Sequence, residues 1–238
     1  MLRYLAVFLL FLSFFACSKK QAPVTYTPPP VVTPPVLSGP AKTYLALGDS
    51  YTIGQSVAEP DRFPNQTSSW LKQNNINISV TDIIATTGWT TGDLQTAINT
   101  QNPVNHDVVS LLIGVNDQYQ THDTTGYRQR FAVLLEKAIQ LANGKKENVF
   151  VLSIPDYSVT PFAAGLDTAR IRREIDRFNA INKDVTAFYN CAYLDITAST
   201  REGRNNGFLI ATDGLHPSGL EYKKWADRLG PLMLPVLK

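Results

Sequence analysis

The chain is poor in cysteine, with only Cys17 and Cys191 among 238 residues. Two cysteines close at most one disulfide, so a fold framed by several bridges is excluded. Histidine is scarce as well, with three in all, and no Cys/His cluster has zinc-site spacing. Neither sign of charge dominates. Four of the 22 basic residues, Arg3, Lys19, Lys20 and Lys42, precede Thr43, which leaves 18 against 20 acidic residues and a net −2 for the remainder. That balance gives no reason to expect a nucleic-acid partner. No internal repeat is visible. The apolar run near the start, residues 5–15, falls short of the about 20 residues that span a bilayer.

That run is the first positive signal. "MLRYLAVFLLFLSFFACSKK" has a basic Arg3, a short apolar core and the small Ala16 before Cys17. These are the parts of a secretory leader; a retained membrane anchor is the alternative. "FFAC" resembles a bacterial lipobox, in which Cys17 is acylated, although Phe14 and Phe15 depart from the usual leucine and small residue. Ser18 is not an acidic retention signal. Export as a lipoprotein of the outer membrane or cell surface is therefore expected, held by acyl chains and not by a helix. Cys191 then has no partner in the chain, and its place before "AYLDI" suits a small buried hydrophobe. The segment "QAPVTYTPPPVVTPPVLSGPA" is uncharged and rich in proline, which favours an extended, semi-rigid spacer. A proline-rich ligand for a partner is the other reading. The expected organisation is a leader at 1–17, a linker at 18–42 and one domain at 43–238.

From residue 43 onward strand-like and helix-like stretches alternate. The patterns predict strands at 43–47, 76–85, 107–113, 148–154 and 192–196. They predict helices at 62–73, 93–100, 127–142, 167–188 and 218–229. "DVVSLLI" is apolar almost throughout, as a strand covered on both faces is. Ile171, Ile175, Phe178, Ile181, Val185 and Phe188 recur at helical steps. Such alternation predicts an α/β fold with a parallel sheet between helical layers. Ligands of such sheets bind beyond the carboxyl ends of the strands. Three polar, glycine-bearing segments stand at those ends: "GDS" at 48–50, "TTGWTT" at 86–91 and "GVND" at 114–117.

Acyl transfer needs a nucleophile, a base, a group that orients the base and donors for an oxyanion. Ser50 is a candidate nucleophile. Of the histidines, His106 precedes a strand, at the edge opposite these loops, and His122 lies in a polar loop where solvation is expected. His216 follows the last strand, in "TDGLHPSG", with Asp213 three residues before it. In one turn that spacing lets the carboxylate take one imidazole nitrogen while the other faces outward. Gly88 and Ser50 can offer backbone N–H groups and Asn116 its amide. Each segment is also what an ordinary turn or cap looks like. Asp49 and Asp117 could form a glycosidase pair, but that leaves the serine and histidine unexplained; turn support is the expectation. Tyr51 and Trp89 either wall a cleft or pack beneath loops.

The ordered set GDS, Gly88, G-x-N-D and D-x-x-H resembles the SGNH, or GDSL, hydrolase superfamily over about residues 43–229. The resemblance implies a three-layer α/β/α sandwich with a central parallel five-stranded sheet, flavodoxin-like in type. It implies a catalytic triad of Ser50, Asp213 and His216, an oxyanion hole of Ser50, Gly88 and Asn116, and no metal or cofactor. The G-x-S-x-G elbow of ordinary α/β-hydrolases is missing. The expected activity is a serine esterase on short-chain, acetyl-type esters of carbohydrate, since no long apolar lid segment is evident. Alternatives are a lysophospholipase or thioesterase, and a non-catalytic glycan-binding surface protein. The expected partners are a small-molecule or glycan ester and, through the lipid, a membrane; a monomer is expected.

Overall fold

The computed structural model describes residues 39–238. The leader, Cys17 and most of the proline-rich linker lie outside the described residues. The largely apolar stretch Val108–Leu112 becomes the middle strand of a sheet, buried at every position. In chain order the elements are β1 (Lys42–Gly48), α1 (Ser50–Ile53), α2 (Phe63–Gln73), β2 (Ile78–Ala85), α3 (Thr91–Gln101), β3 (Val108–Leu112), α4 (Val115–Thr121) and α5 (Tyr127–Leu141). They continue with β4 (Val149–Leu152), α6 (Thr168–Phe188), β5 (Ala192–Leu194), α7 (Thr197–Thr200) and α8 (Gly219–Leu237). Strand β1 takes in Lys42, the last residue of the expected linker.

The five strands are all parallel, in the order β2-β1-β3-β4-β5. This is the expected sandwich. Helices α2 and α8 pack together, as do α3 with α5 and α5 with α6. The strand order reverses between β1 and β3, the switch point where open α/β sheets bind ligands. The register makes that point compact. Gly48 is level with Ala85 of β2 and with Leu112 of β3. The loops after β1, β2 and β3 therefore leave the sheet side by side. At the other end of β1, Gly39, Pro40 and Lys42 border one surface depression together with Leu237 and Lys238.

Several places differ from the sequence expectation, the short helices α1 and α7 among them. "GVND" opens a helix, α4, which its polar composition hides from a periodicity argument. Helix α8 runs on to Leu237 through Pro231 and Pro235. Each proline costs a helical hydrogen bond, and burial of Met233 and Leu237 offsets this. Cys191 is half-buried, and burial pushes its thiol up to about 11. His122, expected in a solvated loop, is exposed but caps the end of α4 and binds Glu174 through Nδ1 at 2.8 Å.

Candidate active site

The site begins where β1 stops. A side chain at Gly48 would put its Cβ 2.1 Å from Thr52 Oγ1 and 2.4 Å from the Leu112 carbonyl oxygen. Only glycine lets α1 fold back this tightly against β3. Asp49 caps α1, its Oδ1 accepting the Tyr51 N–H at 3.0 Å. Ser50 follows as the first residue of that helix. Asp49 is fully buried and its Oδ2 has no hydrogen-bond partner. Burial, with a smaller push from Asp117, raises its carboxyl to about 8 despite the Tyr51 bond. Asp117 is occupied elsewhere: it accepts the Thr91 N–H at 2.8 Å and the Thr91 hydroxyl at 2.6 Å. Both acids thus have structural work, as expected. Asp117 fastens the start of α3, and with it the loop that carries Gly88.

The loop between Ile210 and Ser218 supplies the histidine. His216 Nδ1 lies 2.6 Å from Asp213 Oδ2. Asp213 Oδ1 accepts the N–H groups of Leu215 at 2.9 Å and His216 at 3.0 Å. The Ser56 hydroxyl adds a further bond to Oδ2 at 2.6 Å. Partial burial pushes the Asp213 carboxyl up, but the bonds from Ser56, His216 and the two backbone N–H groups outweigh it and hold it well below the usual carboxylate range. Ser56 is a residue that the sequence reading missed. Nothing in a serine six positions after Ser50 signals that it reaches an aspartate 157 residues away.

Ser50, Asn116 and His216 line one cleft of about 120 Å³, together with Tyr51, Val115, Tyr119, Tyr157, Phe162 and Leu215. The Tyr51 ring packs on the His216 imidazole with centroids 5.1 Å apart. With Nδ1 engaged by Asp213, the nitrogen left for chemistry is Nε2. The Ser50 hydroxyl and the imidazole are not hydrogen-bonded to each other here; such contacts tighten in substrate complexes. One N–H of the Asn116 amide donates to the Trp89 carbonyl at 3.0 Å, which leaves the second free. Gly88 is exposed, has φ +86° and is not part of the cleft lining. It is tied to the site at one remove, through Trp89 and Asn116. Trp89 thus serves through its backbone, and only Tyr51 of the two aromatic candidates walls the cleft. Among the described residues no group of three or more His, Cys, Asp or Glu side chains is placed to hold a metal.

Sequence comparison decides the family. Residues 46–224 match the GDSL-like lipase/acylhydrolase family. The chain belongs to that family. It is accordingly a hydrolase of the GDSL, or SGNH, superfamily. Solved structures with a similar fold include a member of the lipolytic G-D-S-L family from Veillonella parvula. It is 20% identical, with TM-score 0.59 over 82% of this chain and 96% of that one. An acetylxylan esterase from Geobacillus stearothermophilus is 21% identical, with TM-score 0.59 over 84% and 95%. A lipase from a goat rumen metagenome is 20% identical, with TM-score 0.65 over 83% and 100%. No curated protein matches the chain by sequence.

Proposed function

We propose that the protein is a serine esterase that works through Ser50, His216 and Asp213 and removes short acyl groups, acetyl above all, from carbohydrate. The observation that carries this is the Asp213–His216 pair at 2.6 Å with Ser50 on the wall of the same cleft. Ser50 Oγ attacks the ester carbonyl carbon while His216 Nε2 takes its proton. The oxyanion is held by the Ser50 N–H and the free N–H of Asn116; Gly88, outside the cleft lining here, is proposed as the third donor. His216 returns the proton to the departing alcohol, and water then releases the acyl group from Ser50 by the same steps in reverse. Asp213, kept ionised by its donors, stabilises the imidazolium that forms in each half.

The cleft supports a small ester, acyl group and alcohol together. Its volume of about 120 Å³ is well below the ~300–1,000 Å³ of sites that bury drug-sized ligands. Acetylxylan esterases among the proteins of similar fold are consistent with this choice. Export through the leader, with a lipid on Cys17 anchoring a monomer at the outer membrane or cell surface, belongs to the same proposal. So does the proline-rich segment as its spacer. The test is hydrolysis of p-nitrophenyl esters from acetyl to palmitoyl, wild type beside Ser50→Ala. Turnover that peaks at acetyl and disappears in the variant is expected. A peak at long chains moves the protein to lipid or thioester substrates. Equal behaviour of wild type and variant on every ester overturns the enzyme reading and leaves a glycan-binding protein.

A further inference from the structure

Three aromatic rings on the cleft wall have no part in the chemistry above. Tyr119 comes from α4, and Tyr157 and Phe162 from the segment between β4 and α6. Their centroids form a nearly equilateral triangle, 6.1 Å between the two tyrosines and 6.2 Å from each to Phe162. Tyr157 is the inner corner, 3% exposed, while Tyr119 and Phe162 stand at the mouth, 48% and 43% exposed. Rings of that size are costly to leave in water unless they meet something.

The wall is held in place from two sides. The Tyr157 hydroxyl donates to Gln118 Oε1 at 3.0 Å, and the Gln118 amide donates to the buried Glu174 at 2.7 Å. The Phe162 N–H donates to the Gly214 carbonyl at 2.9 Å. Gly214 lies between Asp213 and His216 on the histidine loop. That second contact decides which half of an ester the wall meets. His216 must pass its proton to the oxygen of the departing alcohol, so the alcohol leaves on the histidine side. Phe162 is fastened to that side. Apart from His216, the cleft lining holds no acidic or basic side chain. A charged headgroup would find no partner there.

We infer that Tyr119, Tyr157 and Phe162 form the leaving-group subsite, where the apolar face of an uncharged sugar ring stacks while its acetyl ester lies at Ser50. The inference rests on the esterase reading above. It names the alcohol half of the substrate and the residues that select it.

The test compares two acetyl esters that differ only in the alcohol, an acetylated methyl xyloside and ethyl acetate. The full-length protein is used throughout. Wild type prefers the xyloside. Phe162→Ala and Tyr119→Ala each lower the xyloside-to-ethyl-acetate ratio of kcat/KM by about fivefold, as loss of an aromatic contact does. Phe162→Trp keeps the ratio. If an alanine variant does not fold, Phe162→Leu, which keeps bulk without a π face, takes its place. The subsite is overturned if the ratio is unmoved, or if wild type has no preference for the xyloside. It is also overturned if the variants instead change the preference between ethyl acetate and ethyl hexanoate, since the acyl chain then uses the wall. Ser50→Ala separates the two levels. If it is inactive while the ratio stays fixed, only the subsite falls. If it is as active as wild type, the esterase reading falls and the subsite with it.

Discussion

Two histidine–aspartate pairs stand at different ends of one sheet. Before β3, His106 Nε2 lies 2.9 Å from Asp82 Oδ2. Beyond the carboxyl ends, His216 Nδ1 lies 2.6 Å from Asp213. Both imidazoles are buried, so neither burial nor a carboxylate partner separates them. The second nitrogen does. His106 Nδ1 is taken by the Val104 carbonyl at 2.9 Å, which makes the ring a staple between β2 and the turn before β3. His216 keeps its second nitrogen for a cleft that also holds a serine hydroxyl. What turns such a pair into a candidate base is the atom left unbonded and what that atom faces.

The widest gap between the two pairs is in activity. Asp213→Asn should lower kcat by about 10⁴-fold, because an amide holds the wrong tautomer and cannot stabilise the imidazolium, with a cost in stability limited to what its four donors gain from the ionised acid. Esterase assay and calorimetry on the same sample read both. His106→Ala should do the reverse, destabilising the fold by about 1–3 kcal/mol through the stranded Val104 carbonyl and lost packing with kcat within about twofold of wild type. A kcat loss in His106→Ala comparable to that of Asp213→Asn breaks the comparison.

Asp49 sharpens it from the opposite direction, as an acid without a cation. Its carboxyl is raised to about 8 in the folded protein by burial first and Asp117 second. The folded state therefore holds a proton that the unfolded chain releases near pH 4. The stabilisation is fully present below that pH and is lost as pH rises toward 8. Asp49→Asn keeps an oxygen for the Tyr51 N–H and removes the titration. Its stability relative to wild type should rise by about 5 kcal/mol between pH 4 and 8, at ~1.36 kcal/mol per unit of pKa difference; parallel denaturation curves for the two proteins contradict the account. The smallest effect is expected at Ser56. Ser56→Ala deletes one of four donors to Asp213, and kcat should fall by less than about tenfold. A loss as large as that of Asp213→Asn would make Ser56 a full member of the site.

Much of this was legible in the sequence because it was carried by local rules. Alternating apolar runs gave the five strands in order. Asp213 and His216 meet within one turn, so their spacing alone could suggest the pair. Ser50 and Asn116 end neighbouring strands, and the parallel sheet brings them to one edge. What escaped was carried by contacts distant in sequence. Ser56 reaches Asp213 across 157 residues. Tyr119 was hidden because "VNDQYQT" has no apolar stripe to mark it as helix, although Tyr119 is one turn beyond Asn116. Phe162 became a wall residue only through its bond to Gly214. For Trp89 the sequence left wall and packing both open; its ring packs against the core and its backbone gives the site a carbonyl.

The shared depression at the foot of β1 has a practical side. Gly39 and Lys238 both border it, so the described residues are entered and left at one corner. The seven residues of β1, rising about 3.3 Å each, separate that corner from Ser50. A host protein could carry this domain as an insertion, gripped by both ends like a plug in a socket. A bead or a chip surface could take either end. In each case the mouth of the cleft points away from the attachment, and force applied there pulls on the strand and the last helix without prying the catalytic loops apart.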